Sequence, residues 1–499
     1  MTRAPVILYT LLAFALLLAA GRVNLRLLDQ RVHHRIVQAT DPLENAPPLV
    51  AFTTVALGGF RGILADLLWI RAGRLQAEGK YFELVQLADW ITKLEPRFTE
   101  VWAYQAWNLA YNISVMFATP EDRWRWVRHG VTLLRDHGLR YNPGEPRLLF
   151  ELGWLFQHKI GGTFDDAHMH YKSRWSREIQ TLFGGPRPNL DLWLTLPPTR
   201  PELLEETGVR DLVASLEREG ISPWSLRLLD LPPDHPAQTL LNRSPASTRL
   251  LEFVRRHHTL ETYHLRPDLI RAIHQRHGLL DWRLPQAHAI YWATLSRDLA
   301  RQPFDRIAAD RMIHQSLQDT FRRGNAILDP NQNLLTLAPN LAVLPYVLDA
   351  YQSSIHDHPD LDAFRSAYVN FLIDAAYIFY TYNRQRDAQR MFDLLAQFRP
   401  DLTTGLTMEQ FVYQSFAGQL DSLDDYEALA AVEGALVQSL FWETAGDPER
   451  AAGFDRLARN LWTRYMTPRL HQQALRERTG LPPLEDIRAM AARRLGLQP

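Results

Sequence analysis

The chain has no cysteine among its 499 residues and very little lysine. The missing thiol excludes disulfides, thiolate zinc sites, iron–sulfur clusters and cysteine nucleophiles. Positive charge comes almost entirely from arginine, because lysine occurs only at Lys80, Lys93, Lys159 and Lys172. Acidic and basic residues nearly balance, with a formal net charge of -1, so the broad basic surface of a nucleic-acid-binding protein is not expected.

Common catalytic and cofactor-binding motifs are missing as well. The sequence has no phosphate-binding G-x-x-x-x-G-K-[ST] loop, no G-x-G-x-x-G turn, no G-x-S-x-G elbow and no H-E-x-x-H pair. We therefore expect no catalytic residues and no cofactor. With 46% hydrophobic and 22% charged residues, the composition is that of a folded protein and not of a disordered one.

One long apolar run is present, close to the N-terminus. Residues Pro5 to Ala20 have the sequence PVILYTLLAFALLLAA, which spans about 24 Å as a helix and falls slightly short of a roughly 30 Å hydrocarbon core. The run fits either an uncleaved membrane anchor or a signal peptide that is cleaved near Ala19 and Ala20. The anchor is favoured, because Leu18 is large for the third position before a cut after Ala20 and an amphipathic stretch follows directly at 23–28.

The charges around this run do not agree on one orientation. Arg3 precedes the run and four arginines follow it, so the positive-inside rule alone places the body of the protein in the cytoplasm. The position and shape of the run are those of an export signal and favour the opposite side. We therefore expect a single-pass membrane protein, attached through residues 5–20, with an extracytoplasmic body. The four arginines are Arg22, Arg26, Arg31 and Arg35.

Apolar residues recur at helical spacing in pairs of segments that are separated by turn residues. The first pair is predicted as a helix over 67–77, a turn at Gly79 and a second helix that stops before Pro96. The second helix carries its apolar stripe at Leu84, Ala88 and Ile91. Similar pairs are predicted over 99–143, 149–171, 372–400 and 435–458. In the pair 372–400, Asn383 is expected in the turn and Ala388 at the crossing of the two helices.

These segments resemble the tetratricopeptide (TPR) repeat family, whose helix–turn–helix units are about 34 residues long. The segments 65–98 and 368–401 match the family pattern best. There are two departures: Leu84 occupies a position where the family has a small residue, and the second and third units carry insertions. The resemblance implies a concave groove for a peptide or a partner protein, and no catalytic residues.

The predicted fold class is all-α: a TPR-like α-solenoid with an irregular proline-rich insertion and an N-terminal transmembrane helix. The expected divisions are an anchor or signal at 1–22, a stalk and linker at 23–60, N-terminal repeats at 61–183, the insertion at 184–284, C-terminal helices and repeats at 285–467, and a tail at 468–499. Single helices are predicted at 209–219, 248–258, 286–300 and 484–495, and an irregular segment at 333–347.

A polar cluster at 158–170 is the main candidate for chemistry. On a helix Asp166 and His170 lie four residues apart on one face, and His158 can approach across a turn, so the three side chains suit a metal ion or acid–base catalysis. One helix supplies only two ligands well, however, and helix N-capping by Asp165 explains the acidic residues too. We expect no metal, and keep a metal-dependent or acid–base enzyme as the alternative function.

The favoured function is a membrane-anchored scaffold that binds a protein or peptide partner, with envelope assembly or secretion as the suggested setting. First helices of TPR-like units line the groove, so polar and cationic residues outside their apolar stripes are candidate contacts. Two tryptophans in one short stretch are added, because neighbouring residues cannot all face inward. The predicted partner-binding residues are Arg71, Arg74, Tyr104, Asn108, Asn112, Trp124 and Trp126. The sequence leaves the oligomeric state open.

Overall fold

The computed structural model describes residues 60–232, 234–329, 334–412, 425–470 and 480–497, together with a few isolated positions. Over these residues the fold is all-α, as the apolar periodicity predicts, with helices accounting for 76% of the structure. The only sheet in these ranges is a hairpin of two short strands.

The chain forms two compact units, and each is built from three separate stretches. The first unit comprises the described parts of Met1–Arg174 together with Thr207–Arg266 and Tyr291–Ala309. The second comprises Trp175–Glu206, Pro267–Ile290 and the described parts of Asp310–Pro499. The proline-rich segment 184–284, which the sequence predicts as one insertion, therefore contributes residues to both units.

The N-terminal part of the described chain is a succession of helices joined by short connections. Three of them continue without a break into π-helical segments, a wider form that is uncommon in proteins. The helices are α1 Phe60–Ala77, α2 Tyr81–Leu94, α3 Thr99–Trp107, α4 Pro120–Thr132, α5 Pro146–Trp154 and α6 His168–Phe183. The π-helical segments are Asn108–Ile113 after α3, Leu133–Gly138 after α4 and Leu155–Ile160 after α5.

The first helix pair shows how the sequence determines the local structure. Gly79 adopts a φ of +70° in the turn between α1 and α2, a conformation that glycine reaches without the steric penalty of a Cβ. The apolar stripes of the two helices then face each other. Ala72 and Leu75 of α1 form one buried cluster with Leu84 and Leu87 of α2. The predicted stripe of this pair is therefore its core.

The remaining helices are mostly short in the middle of the chain and longer toward its end. They are α7 Leu190–Thr195, α8 Arg200–Leu203, α9 Thr207–Arg218, α10 Pro236–Arg243, α11 Ser247–Glu261, α12 Pro267–His277, α13 Pro285–Leu299, α14 Pro303–Arg323, α15 Leu344–Asp357, α16 Asp362–Thr381, α17 Gln385–Phe398, α18 Pro400–Thr403, α19 Asp425–Thr444, α20 Pro448–Leu470 and α21 Leu484–Arg494. The helices predicted at 209–219, 248–258, 286–300 and 484–495 correspond to α9, α11, α13 and α21.

The pair α16–α17 agrees closely with the sequence prediction. Asn383, expected in the turn, has a φ of +60°, which asparagine tolerates better than most residues. Ala388, expected where the two helices cross, is fully buried, and the next residue, Gln389, is exposed. The register predicted for this pair is therefore confirmed.

The segment 333–347 differs from its prediction. The sequence suggests irregular structure there, but Leu334–Ala338 forms a strand, β2, that pairs antiparallel with β1, Asn325–Asp329. Ala326 and Leu335 are buried together with Leu284, so one apolar face holds the hairpin in place. Two short, largely apolar runs are enough to form it because both strands pair locally.

The expected membrane topology needs correction. Among the helices of the described ranges, none is long and apolar enough to cross a bilayer. This finding contradicts the prediction of a single-pass membrane protein with an extracytoplasmic body. The apolar run 5–20, on which that prediction depends, lies outside the described residues except for Ala19.

Two glycines in the helix pair α19–α20 offer a matched test of close packing. A Cβ on Gly453 in α20 would lie 1.9 Å from the carbonyl oxygen of Thr381 and 2.8 Å from the backbone nitrogen of Asn383, so the backbone would have to shift. A Cβ on Gly434 in α19 would have no described atom within 4 Å. We expect Gly453→Ala to lower the free energy of unfolding by about 1–3 kcal/mol through overpacking.

Gly434→Ala is the control, and it should raise the free energy of unfolding by up to about 1 kcal/mol, because alanine is the better helix former. Urea unfolding followed by circular dichroism measures both variants. Equal shifts of the same sign would contradict the close approach of α20 to the end of α16.

Candidate functional site

Helices α3 and α5 are adjacent in the first unit, and one face of each lines the groove between them. The lining positions follow the i, i+3, i+4, i+7 spacing that places side chains on a single helix face. They enclose a cleft of about 400 Å³, which we call the aromatic cleft. Its lining residues are Glu100, Ala103, Tyr104 and Trp107 of α3 and Arg147, Phe150, Glu151 and Trp154 of α5.

The two helix faces correspond residue by residue. Each lining residue of α5 lies 47 positions after its counterpart on α3, as Trp154 does after Trp107. One turn further on, Tyr111 and His158 keep this offset, and the Tyr111 hydroxyl lies 3.0 Å from His158 Nδ1. The cleft therefore lies between equivalent faces of two first helices in successive helix pairs.

Stacked rings extend along both sides of the aromatic cleft. On the α3 side, the ring centroids of Trp107 and Tyr111 are 5.6 Å apart. On the α5 side, Trp154 stacks on Phe150 at 6.5 Å and on His158 at 4.8 Å. Trp107 is nevertheless 38% exposed. Aromatic rings that are held by neighbours and partly open to solvent are typical anchors of protein interfaces.

The charged side chains of the cleft differ in their exposure. Glu151 is only 15% exposed, and its Oε1 accepts an ion-paired hydrogen bond from Arg147 Nη2 at 2.8 Å. Burial raises the pKa of Glu151, Arg147 opposes this rise, and the nearby Glu100 adds to it. Arg147 and Glu100 are both exposed. With two carboxylates and one guanidinium, the lining carries a formal charge of -1.

A second cavity, of about 390 Å³, begins where the rings of the aromatic cleft end. Tyr111 and His158 form one side of this polar cavity. Burial lowers the pKa of His158, and the neighbouring Lys159 lowers it further, so both favour the neutral imidazole. The other lining residues are Val115, Arg123, Lys159, Phe164, Asp165 and Asp166.

Asp165 is the centre of the polar cavity. Its carboxylate accepts hydrogen bonds from Lys159 Nζ at 2.6 Å, from the Tyr171 hydroxyl at 3.0 Å and from the Ala167 backbone N–H at 3.0 Å. Arg123 Nη1 lies 3.3 Å away. Burial alone would raise the pKa of Asp165, but these donors, with Lys159 first among them, outweigh burial and hold it at about 2. The carboxylate is therefore ionised and fully engaged at neutral pH.

Lys172 also contacts the loop 161–167, to which Asp165 belongs. Its Nζ donates to the Gly162 carbonyl at 2.7 Å and lies 3.0 Å from His168 Nδ1. Lys172 is 1% exposed, and the side chain of Lys159 is 5% exposed. Two of the four lysines in the sequence are therefore buried around the loop 161–167, where their ion pair and hydrogen bonds fix the loop at the end of the aromatic cleft.

The helices change form where the two cavities meet. Tyr111 lies in the π-helical segment Asn108–Ile113 and His158 in the segment Leu155–Ile160. A π-helical segment widens the helix and turns the following side chains to new directions, and such segments are frequent at functional sites. The sequence gives no simple signal for them, because the apolar stripe continues through both.

The structure separates the residues that the sequence predicts as partner contacts. Arg71 and Arg74 are exposed and line a different recess, on α1. Tyr104 lines the aromatic cleft. Asn108 is 1% exposed and accepts a hydrogen bond from Asn112 Nδ2 at 2.8 Å. Asn108 therefore offers no side-chain surface to a partner.

The two tryptophans of α4 have different surroundings. Trp124 is 3% exposed and stacks on Tyr171, with their centroids 6.0 Å apart, so it belongs to the core. Trp126 is half-buried and packs against Phe117 and Phe82, each at 5.9 Å. Of the two, only Trp126 keeps any surface for a contact.

The candidate metal or acid–base residues are not brought together. His158 bonds to Tyr111, Asp166 forms an ion pair with Arg123, and His170 Nε2 lies 3.0 Å from Glu121 Oε2. Within the part of the chain that the structure describes, no group of three or more His, Asp or Glu side chains is placed to hold a metal ion.

Sequence reasoning missed most of the aromatic cleft. Of its lining residues, only Tyr104 is among the predicted partner contacts. The sequence offers one small signal, the recurrence of Trp107 as Trp154 in the first helix of the next predicted pair.

Comparisons with protein-family models, with curated proteins and with solved structures find no match for this chain. Its function therefore has to be inferred from the geometry of its own residues.

Proposed function

We propose that this chain is a helical-repeat scaffold of the TPR type whose aromatic cleft binds a peptide segment of a partner protein. The proposal is carried by the cleft itself: equivalent faces of two successive first helices, with four aromatic side chains around about 400 Å³. Helix-lined grooves bind peptides through a few aromatic anchors, and a cleft of this volume accommodates one or two peptide side chains.

The register of the buried residues supports the repeat interpretation. A unit of about 34 residues is typical of TPR proteins. The buried pair Ala72 and Leu75 in α1 recurs 34 positions later as Ala106 and Leu109, which are also buried. The next recurrence, at the longer offset of 47, is Gly153 and Phe156, buried again. The longer offset agrees with the insertion that the sequence predicts within the second unit.

The acid–base alternative has weaker support. Its three candidate residues have three separate partners. Asp165, the most deeply engaged carboxylate of the polar cavity, stays ionised because its pKa is held at about 2, so it has no proton to give at neutral pH. The ion pairs of this region are better explained as supports for the end of the aromatic cleft.

Peptide selection tests the proposal directly. The full chain is used to select binders from a random peptide library, and the dissociation constants of the recovered peptides are measured by fluorescence anisotropy. Replacing Trp107 and Trp154 together by alanine should weaken binding about 100-fold, which is about 2.7 kcal/mol, because two central anchors are lost.

Trp90 provides a matched control. It is 49% exposed and lies on α2, outside the cleft, so Trp90→Ala should change the dissociation constant less than about two-fold, a free-energy change within the range of peripheral contacts. Melting curves confirm that both variants are folded. The proposal would be contradicted if the library yields no binders. It would also be contradicted if the recovered peptides keep their affinity when Trp107 and Trp154 are replaced.

A further inference from the structure

Two features of the aromatic cleft both favour a positively charged ligand. The first is its set of ring faces, which carry the negative side of an aromatic quadrupole and attract a cation within about 6 Å. The second is its excess of carboxylate over guanidinium. The rings belong to Tyr104, Trp107, Phe150 and Trp154, and the charges to Glu100, Glu151 and Arg147.

Ligands of other kinds fit this lining less well. An apolar side chain would cover the Glu151 carboxylate without offering it a new partner, and the desolvation of a charge is costly. A carboxylate ligand would find one partner in Arg147, but it would also meet two like charges and the negative ring faces. A guanidinium or ammonium group instead gains a carboxylate partner and a ring face at once.

The Arg147–Glu151 ion pair provides a route for such a ligand. Arg147 is 51% exposed, whereas Glu151 is only 15% exposed. An exposed arginine gains little from a surface pair, because water solvates its guanidinium almost as well. A ligand cation can therefore take the place of Arg147 at the Glu151 carboxylate, while the Arg147 side chain turns into solvent.

We infer that the aromatic cleft is a site for a cationic side chain, an arginine or a lysine of the bound peptide, with Glu151 as its counter-ion and Trp107 and Trp154 as its walls. This inference rests on the proposed function and specifies which peptide side chain enters the cleft. It differs from the sequence prediction, in which the cationic side chains of Arg71 and Arg74 contact the partner.

The test uses two probes of nearly the same shape, N-acetylarginine amide and N-acetylcitrulline amide, of which only the first is charged. The full chain is labelled with 5-fluorotryptophan, and the ¹⁹F resonances of Trp107 and Trp154 are assigned with Trp→Phe variants. The arginine probe should shift both resonances in a saturable manner. The citrulline probe should bind at least about ten-fold more weakly. Glu151→Gln should raise the dissociation constant of the arginine probe by a similar factor.

Glu78→Gln serves as the control, because Glu78 is an exposed carboxylate that lines the other recess. It should leave the arginine titration unchanged. Equal affinity for both probes, or no shift at Trp107 and Trp154, overturns the inference.

The two proposals fail in different ways. If library peptides need Trp107 and Trp154 but bind equally well after citrulline replaces their arginines, the cleft binds peptides without selecting a cation, and only the inference is lost. If the library peptides bind without any contribution from Trp107 and Trp154, the proposed function is wrong.

Discussion

Replacing Ala388 by tryptophan should destabilise the second unit by about 3 kcal/mol or more, because a large ring cannot fit into a dense helix crossing. Ala388 is fully buried on α17, on the same face as Met391 and Leu395. The neighbouring Gln389 is exposed, and its amide donates to Asp393 Oδ1 at 2.8 Å, so it remains on the outer surface of the helix.

Gln389→Trp is the matched control, with the same residue introduced one position along the chain. It should change the free energy of unfolding by less than about 0.5 kcal/mol, as is usual for surface substitutions. Urea unfolding of both variants, followed by circular dichroism, makes the comparison. Similar losses for the two would mean that the register of the α16–α17 pair is not the one described.

The second large effect is expected at Lys159. Replacing Lys159 by methionine should lower the free energy of unfolding by about 3–5 kcal/mol, because a buried carboxylate loses one of its partners. Lys159 Nζ and Asp165 Oδ2 are 2.6 Å apart, and the two side chains are 5% and 8% exposed. Lys93 and Asp89 form a pair at the same distance, 2.6 Å, but their side chains are 50% and 47% exposed. Lys93→Met should therefore cost less than about 1 kcal/mol.

The buried pair also has a pH signature. The pKa of Asp165 is about 2 in the folded chain, because the Lys159 and backbone donors outweigh the effect of burial, and it is about 4 in an unfolded chain. A lowered carboxyl pKa stabilises the fold above the unfolded value, and this stability is lost as the pH falls toward the folded value. The stability difference between the natural chain and Lys159→Met should therefore narrow between about pH 4 and pH 2. A difference that stays constant over that window would show that Asp165 is not the partner that matters.

The helices could be predicted from the sequence because their apolar residues repeat with the helical period and because their turns carry suitable residues. Gly79 and Asn383 both adopt positive φ where the sequence predicts turns. Such signals are local, and a single sequence contains them. The all-α class and most of the helix positions follow from them.

The aromatic cleft could not be predicted in the same way. Trp102 and Trp107 are both tryptophans of one helical run, yet Trp102 is 4% exposed and Trp107 is 38% exposed. Trp102 is covered by Tyr141, on which it stacks with ring centroids 5.8 Å apart, and helical period alone does not predict such a contact. Lys159 presents the same difficulty. Lysine is expected at the surface, but Lys159 is buried because the loop 161–167 places Asp165 within hydrogen-bond distance of it.

The β-hairpin was missed for a different reason. Each of its strands is five residues long and is followed directly by a proline, so the surrounding sequence has the composition of a loop. The pairing of Ile327 with Thr336 and of Leu328 with Leu335 stabilises strands that neither segment would form alone.

Hydrogen exchange of the full chain, measured with and without a saturating peptide from the library selection, tests the central claim most directly. Binding in the aromatic cleft should slow amide exchange in Thr99–Ile113 and Pro146–Ile160, the two helical runs that form its walls, because a bound ligand suppresses local opening of the elements it contacts. The chain with Trp107 and Trp154 replaced by alanine should show no such protection at the same peptide concentration. Protection confined to other helices, or equal protection in the variant, would contradict the account.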